Sequence, residues 1–266
     1  MNAISLGPVV FETGRLAAVL AIILFTVITG LLTRRGPKGA ESWAMWAVLG
    51  WIIGARIGFV AAHPGDFAAR PLDALAVWQG GFAPLAGWIG GGAVLLVAAL
   101  RGRRAVLRPL LIAAVLTGGA HRTALWLMPR PVMDLPVITL MAMDGTPVQL
   151  AGRDRVMVLN LWATWCPPCR REMPMMTDLA DQMPEVDFLF ANQGEDAARI
   201  TAFLAAQALP AQGMLRDPGS HLMGRLNAVG LPTTLVFDAE GALLRAHTGE
   251  ISRAALRTLI ETAKEP

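Results

Sequence analysis

The sequence predicts two unlike parts joined end to end: an all-α transmembrane helical domain over residues 1–130, then an α/β domain over residues 131–266. Three observations carry this expectation. The chain has a mean hydropathy of +0.49 and is 54% hydrophobic, which points to membrane spans rather than to a large core alone. Charge is unevenly divided: residues 1–130 hold 12 Lys and Arg against 4 Asp and Glu, a net of +8, while residues 131–266 hold 11 against 16, a net of −5. The only two cysteines, Cys166 and Cys169, stand two residues apart where a strand-like run gives way to a helix-like one.

Four apolar stretches make up the first part: Leu16–Leu32, Trp43–Ala62, Val77–Leu100 and Pro109–Met128. Each is close to the roughly 20 residues a helix needs to cross the hydrocarbon layer. The third is rich in glycine (Gly80, Gly81, Gly87, Gly90, Gly91, Gly92), which suits close helix packing or a broken, partly re-entrant course. Trp43, Trp46, Trp78 and Trp126 fall near the ends of the runs, where indoles anchor at the interface. Met1–Phe11 has no basic leader and no cleavage signal follows the first span, so that span is expected to be retained.

Arg34, Arg35 and Lys38 lie between spans one and two, and Arg101, Arg103, Arg104 and Arg108 between spans three and four. Positive loops stay in the cytoplasm, so both ends of a four-span chain face outward. The second domain is then extracytoplasmic and the protein a multi-pass inner-membrane protein. A re-entrant third stretch would reverse that side. Basic residues in short loops are a topology signal, and they exclude the continuous basic stripe of a nucleic-acid binder. Arg56 within the second span, and His121 and Arg122 within the fourth, invite either a functional role or snorkelling to the interface.

The segments Gly54-Ala55-Arg56-Ile57-Gly58-Phe59-Val60, Asp66-Phe67 to Pro71-Leu72 and Trp78-Gln79-Gly80-Gly81 resemble prolipoprotein diacylglyceryl transferase over about residues 10–130. The resemblance implies membrane lipid as a partner. Leu85 stands where that family's functional histidine falls, and only Gly119-Ala120-His121-Arg122 is left of a later signature. The first part therefore reads as a transferase-like scaffold reused as an anchor.

After Pro129-Arg130-Pro131 the pattern changes. Arg155–Trp162, Val186–Ala191 and Leu231–Phe237 are apolar runs of strand length. Arg170–Met183, Ala197–Ala208 and Ser252–Ala263 read as helices between them. The alternation suits an α/β sandwich. Cys166 would stand at a helix N-terminus, where free N–H groups and the macrodipole favour a thiolate. Cys169, one turn on, could close a disulfide and release a mixed-disulfide partner. Pro167 and Pro168 between them stiffen the turn and delete N–H donors. A zinc site needs more N or S ligands than His63, His121, His221 and His247 supply at this spacing. No cofactor or metal is expected.

Trp162-Ala163-Thr164-Trp165-Cys166-Pro167-Pro168-Cys169, with Pro174 and Leu231-Pro232, resembles the thioredoxin superfamily, most of all its membrane-tethered TlpA/ResA-type reductases, over residues 132–266. The resemblance implies a thioredoxin-like domain, with Cys166 as attacking thiol and Cys169 as resolving thiol. It implies a cis Pro232 facing the pair, and substrate contacts from Trp165, Pro167, Pro168 and Leu231. Glu172 matches an acid beside the active site; otherwise it would be an ordinary acid in the helix's first turn. Asn160 stands where cytosolic thioredoxins carry a buried Asp. An insertion is expected around Asn192–Gln212.

The function expected is that of a membrane-anchored protein disulfide reductase acting outside the cytoplasm on oxidised thiol proteins. Residues 1–130 contain no cysteine, so a separate membrane electron donor of the DsbD/CcdA type is implied. A thiol oxidase or isomerase would use the same pair in the other direction. A lipid-modifying transferase with an appended redox domain is the reading from another class.

Overall fold

The computed structural model describes residues 3–6, 9–37, 39–68, 70–127 and 133–264. Met128 and the Pro129-Arg130-Pro131 linker lie outside them. The chain divides into two compact units, Thr13–Pro129, and Arg130–Pro266 grouped with the first twelve residues.

In the latter unit β1 (Ala3–Leu6) and β2 (Val9–Glu12) pair as an antiparallel hairpin. The first unit is helical: α1 (Thr13–Thr33), α2 (Ala40–Ala62), the short α3 (Pro64–Ala68), α4 (Pro84–Leu100) and α5 (Arg104–Leu127). Among the described residues three helices are long and apolar enough to cross a membrane: α1 from Leu16, α2 and α5. Their outward side chains are apolar, Val19, Ile23, Leu31, Ile57, Val115 and Leu116 among them. Trp46, Trp78 and Trp126 are exposed, as anchors would be, whereas Trp43 packs against an internal cluster.

The third apolar stretch departs from expectation. Its helix begins at Pro84 rather than Val77 and has 17 residues, about 25 Å at the α-helical rise. Residues Pro71–Leu75 and Val77–Gln79 wind instead as 3-10 turns. Gly80 and Gly81 then take φ of 79° and 86°, outside right-handed helix, and Pro84 restarts it with a φ suited to a first turn. Close packing of α2 on α4 agrees with the glycine content. A Cβ on Gly54 would lie 2.7 Å from the Ala86 carbonyl oxygen, and one on Gly90 2.2 Å from that of Gly50. Only a hydrogen at those positions lets the two backbones meet.

Arg56 is buried and spends its donors on that interruption. Nε donates to the carbonyl of Ala74 (2.8 Å), Nη1 to Gly80 (2.5 Å) and Gly81 (2.9 Å), and Nη2 to Asp73 (2.6 Å) and Ala76 (3.4 Å). Phe67 and Phe82 face the guanidinium at 5.5 and 5.9 Å. Five N–H donors meet five carbonyls, the full capacity of the group. Arg56 is therefore a backbone cap for residues 73–81. Arg56→Met should lower the thermal midpoint of the detergent-solubilised protein by a loss of about 3–5 kcal/mol, the usual cost of breaking a buried charged network. Arg56→Lys should recover only part of it, having three donors and no fork. His121 is half-buried and Arg122 exposed.

The second unit carries a seven-stranded sheet in the order β4-β3-β7-β6-β5-β8-β9. The strands are β3 (Thr139–Ala142), β4 (Pro147–Gln149), β5 (Met157–Trp162), β6 (Asp187–Gln193), β7 (Met214–Asp217), β8 (Thr233–Phe237) and β9 (Leu243–Thr248). β5, β6 and β7 run parallel; β8 is antiparallel to β5, β9 to β8, and β3 to both β7 and β4. The three strands expected from apolar runs are the central β5, β6 and the neighbouring β8. All six β5 residues are buried, because both faces of the sheet are covered and successive side chains alternate between them. Val158 and Trp162 join one core with α6 (Pro167–Gln182), α7 (Ala197–Ala206) and α9 (Arg253–Lys264). Met157, Leu159 and Leu161 join the other with α8 (His221–Arg225). The expected insertion holds α7, whose chain then returns as β7 beside β6.

Candidate active site

The central strand β5 delivers the site. Four residues after it ends, Cys166 adopts extended backbone as the N-cap of α6, and Pro167 fills the first helical position. Proline suits that position because its missing N–H would be unsatisfied there anyway. The role of a capping oxygen falls to sulfur: Cys166 Sγ accepts the N–H of Cys169 at 3.3 Å. The two sulfurs form a disulfide, 2.05 Å long. Cys166 is 2% exposed and Cys169 not at all, so an incoming thiol has access only from the Cys166 side. Trp165 next to it is 60% exposed; Pro167 is exposed and Pro168 half-buried.

The Leu231–Pro232 peptide is cis, as expected of the resemblance. Register brings it to the site: Thr233 pairs with Leu161 on β5, so Pro232 lies at the end of β8 that borders the active loop. Its carbonyl is held by the Gly249 N–H at 2.9 Å. Leu231 is half-buried and packs against the core that contains both cysteines.

Glu172 lies on the helix that Cys166 caps. It is no ordinary acid of the first turn: it sits on the second turn of α6, three residues beyond Cys169 and so on the same helical side, and is 2% exposed. The helix is amphipathic and packs that side onto the sheet, so an acid there is buried with it. Asn160 on β5 donates Nδ2–H to Glu172 Oε1 (3.0 Å) and to Thr234 Oγ1 (3.1 Å). The Ile251 N–H donates to Oε2 at 3.1 Å. Burial outweighs these bonds and pushes the Glu172 carboxyl up to about 8.

A second buried carboxylate braces the loop that presents Cys166. Glu195 accepts the Thr164 N–H (2.7 Å), the Thr164 hydroxyl (2.5 Å) and Asn192 Nδ2–H (2.7 Å), and pairs with Arg199 Nε at 2.9 Å. Thr164 is two residues before Cys166, so the approach to the thiol is tied to the end of β6. Sequence reasoning missed Glu195, Asn192, Thr234, Arg171 and Glu250. The one local signal for Glu195 was an acid directly after a strand end, in Asn192-Gln193-Gly194-Glu195. Of the expected residues, Cys166, Cys169 and Glu172 share α6 and its N-cap, and Pro232 precedes β8, whose Thr233 pairs with Leu161 of β5. His221 opens α8, and His247 lies on β9, buried.

Comparison with known proteins gives two matches along the chain. The Redoxin family model matches residues 131–260, and the prolipoprotein diacylglyceryl transferase model matches residues 2–122. The chain is 32% identical over 129 residues to the thiol:disulfide interchange protein DsbE of Pseudomonas fluorescens, covering 48% of this chain and 70% of that one. It is 27% identical over 125 residues to the thiol-disulfide oxidoreductase ResA of Halalkalibacterium halodurans, covering 46% and 70%. The helical unit is similar to the phosphatidylglycerol–prolipoprotein diacylglyceryl transferase of Methylibium petroleiphilum, 37% identical over 112 residues, 38% of this chain and 42% of that one. The chain thus spans less than half the length of that transferase.

Proposed function

This chain belongs to the Redoxin family through residues 131–260 and is a thiol–disulfide oxidoreductase of the ResA/DsbE type, and on that premise we propose that it reduces disulfides in client proteins outside the cytoplasm, held to the inner membrane by its helical unit. The observation that carries the reading is the Cys166–Cys169 pair at the N-terminus of α6, above a buried acid on the same helix.

In the reduced protein, the Cys166 thiolate is stabilised by the Cys169 N–H and the helix N-terminus. It attacks a client disulfide; the client S–S bond breaks and one client sulfur leaves as thiolate. Glu172, in the fraction of molecules where it is ionised, accepts the Cys169 thiol proton. The Cys169 thiolate then attacks Cys166 Sγ, the mixed disulfide breaks, and the second client sulfur leaves. Two electrons pass to the client, whose thiolates take up protons, and Cys166–Cys169 is left oxidised. Trp165, Pro167, Pro168, Leu231 and Pro232 form the surface that an extended client segment meets. Oxidised thiol proteins are the clients. With no cysteine in residues 1–130, a separate membrane donor of the DsbD/CcdA type restores the dithiol.

Topology follows from the basic loops, with α4, at 17 residues, reaching the short end of the range that spans. Four crossings put the redox unit outside, and the apolar outer surface of the helices meets membrane lipid. Labelling of Cys166 and Cys169 in spheroplasts with a membrane-impermeant maleimide tests both points. Labelling without added reductant is the expected result. Labelling only after an impermeant reductant would keep the topology and overturn the reductase direction. Labelling that requires lysis would overturn the topology.

A further inference from the structure

Glu172 is enclosed on every side but one. Behind it are Asn160 of β5 and Thr234 of β8, both buried; along its own helix lies Cys169, fully buried. On the remaining side the segment after β9 crosses α6, and two consecutive residues of each interlock. The Ile251 N–H donates to Glu172 Oε2 at 3.1 Å. One residue back on both elements, Arg171 donates Nε–H (3.0 Å) and Nη2–H (2.6 Å) to Glu250 Oε2. Glu250 is 9% exposed, its side chain 8%, while that of Arg171 is 59% exposed. His247 of β9, buried, approaches the Glu250 carbonyl with Nε2 at 3.2 Å. The charged neighbours of Glu172 are therefore Arg171 and Glu250, one of each sign, with His247 behind them.

We propose that Arg171 and Glu250 are positioning residues for the dithiol reaction: their ion pair latches the Ile251 N–H onto Glu172 and sets the field in which that acid gains and loses its proton. This inference rests on the reading of Glu172 as the base for Cys169. The Arg171 side chain of that pair is the part of the enclosure that reaches solvent. Glu250 opposes ionisation of Glu172 and Arg171 favours it. Removing either should therefore act in opposite directions, whereas loosening a merely structural latch would hydrate Glu172 in both cases and act in one.

The experiment titrates the full-length oxidised protein in detergent by infrared difference spectroscopy of the protonated carboxyl C=O band, with Glu172→Gln identifying that band. Glu250→Gln should lower the Glu172 midpoint and Arg171→Met should raise it, each by about 0.5–1 pH unit for a charge at partly screened close range. Shifts of the same sign, or none, would overturn the inference. The pH profile of iodoacetamide alkylation of the reduced protein separates the two claims. A Glu172→Gln profile identical to wild type would overturn the base reading whatever the band does. A changed Glu172→Gln profile with same-sign shifts would spare that reading and reject the positioning role of the ion pair alone.

Discussion

Replacing Cys166 by Ser is expected to abolish dithiol-driven reduction of a protein disulfide, a loss of at least about a thousandfold, because a hydroxyl is not ionised at neutral pH and forms no S–S bond. Turnover of an insulin disulfide by the full-length protein measures it. The opposite replacement should behave differently. Cys169→Ser keeps the accessible nucleophile, so a single attack proceeds and the client stays bound through Cys166, visible as a reducible adduct on a non-reducing gel. The asymmetry comes from burial: Cys169 has no exposed surface and Cys166 has a little. Equal adduct formation by the two variants would contradict the assignment of roles.

The second large effect belongs to Glu172→Gln. Folded and oxidised, Glu172 holds its proton up to about pH 8, against an ordinary value of 4.5. The folded form then binds one more proton than the unfolded chain between these values. The Glu172 contribution to stability is accordingly greatest below about pH 4.5, declines as pH rises toward 8, and levels off above it, a total of a few kcal/mol on the linkage relation. Glutamine keeps the shape without the charge, so the variant should lose this decline and exceed wild type in stability above pH 8. Urea midpoints for the C-terminal unit, read by pulse proteolysis at pH 5 and pH 9, measure it. Catalysis should move the other way: without the base, turnover at neutral pH should fall about a hundredfold, the lower range for general acid–base assistance. A variant destabilised at pH 9, or fully active, would contradict the account.

What the sequence made legible was what neighbouring residues decide. The run into β5, the Cys-Pro-Pro-Cys turn, the start of α6 and the Leu231-Pro232 approach to β8 are local patterns, and each stands where it was expected. The short strands β3, β4 and β9 escaped notice because they have partly exposed residues and little apolar continuity, and their pairing comes from partners far along the chain. Glu172 was expected from the resemblance as an acid beside the active site; its burial against Asn160 comes from the packing of α6 on β5. Glu195 and Glu250 are ordinary acids until β6 and the turn after β9 carry them to Thr164 and Arg171. In the Val77–Leu100 stretch the glycines pointed to a broken course but hydropathy could not place the break, which falls at Gly80 and Gly81, where the backbone angles end one element before Pro84 begins another.

The arginine cap in the helical unit also bears on how this chain enters a membrane. An arginine midway along a span costs about 2.5–3.5 kcal/mol on translocon scales, and the carbonyls of residues 73–81 would be as unwelcome in lipid without it. Neither half of the arrangement is tolerable alone. The acceptors follow 17 to 25 residues after Arg56 in the chain, so α2 by itself leaves the guanidinium unmatched. Arginine and acceptors thus form one matched set, so the segment from α2 to α4 is the unit within which those polar groups are satisfied.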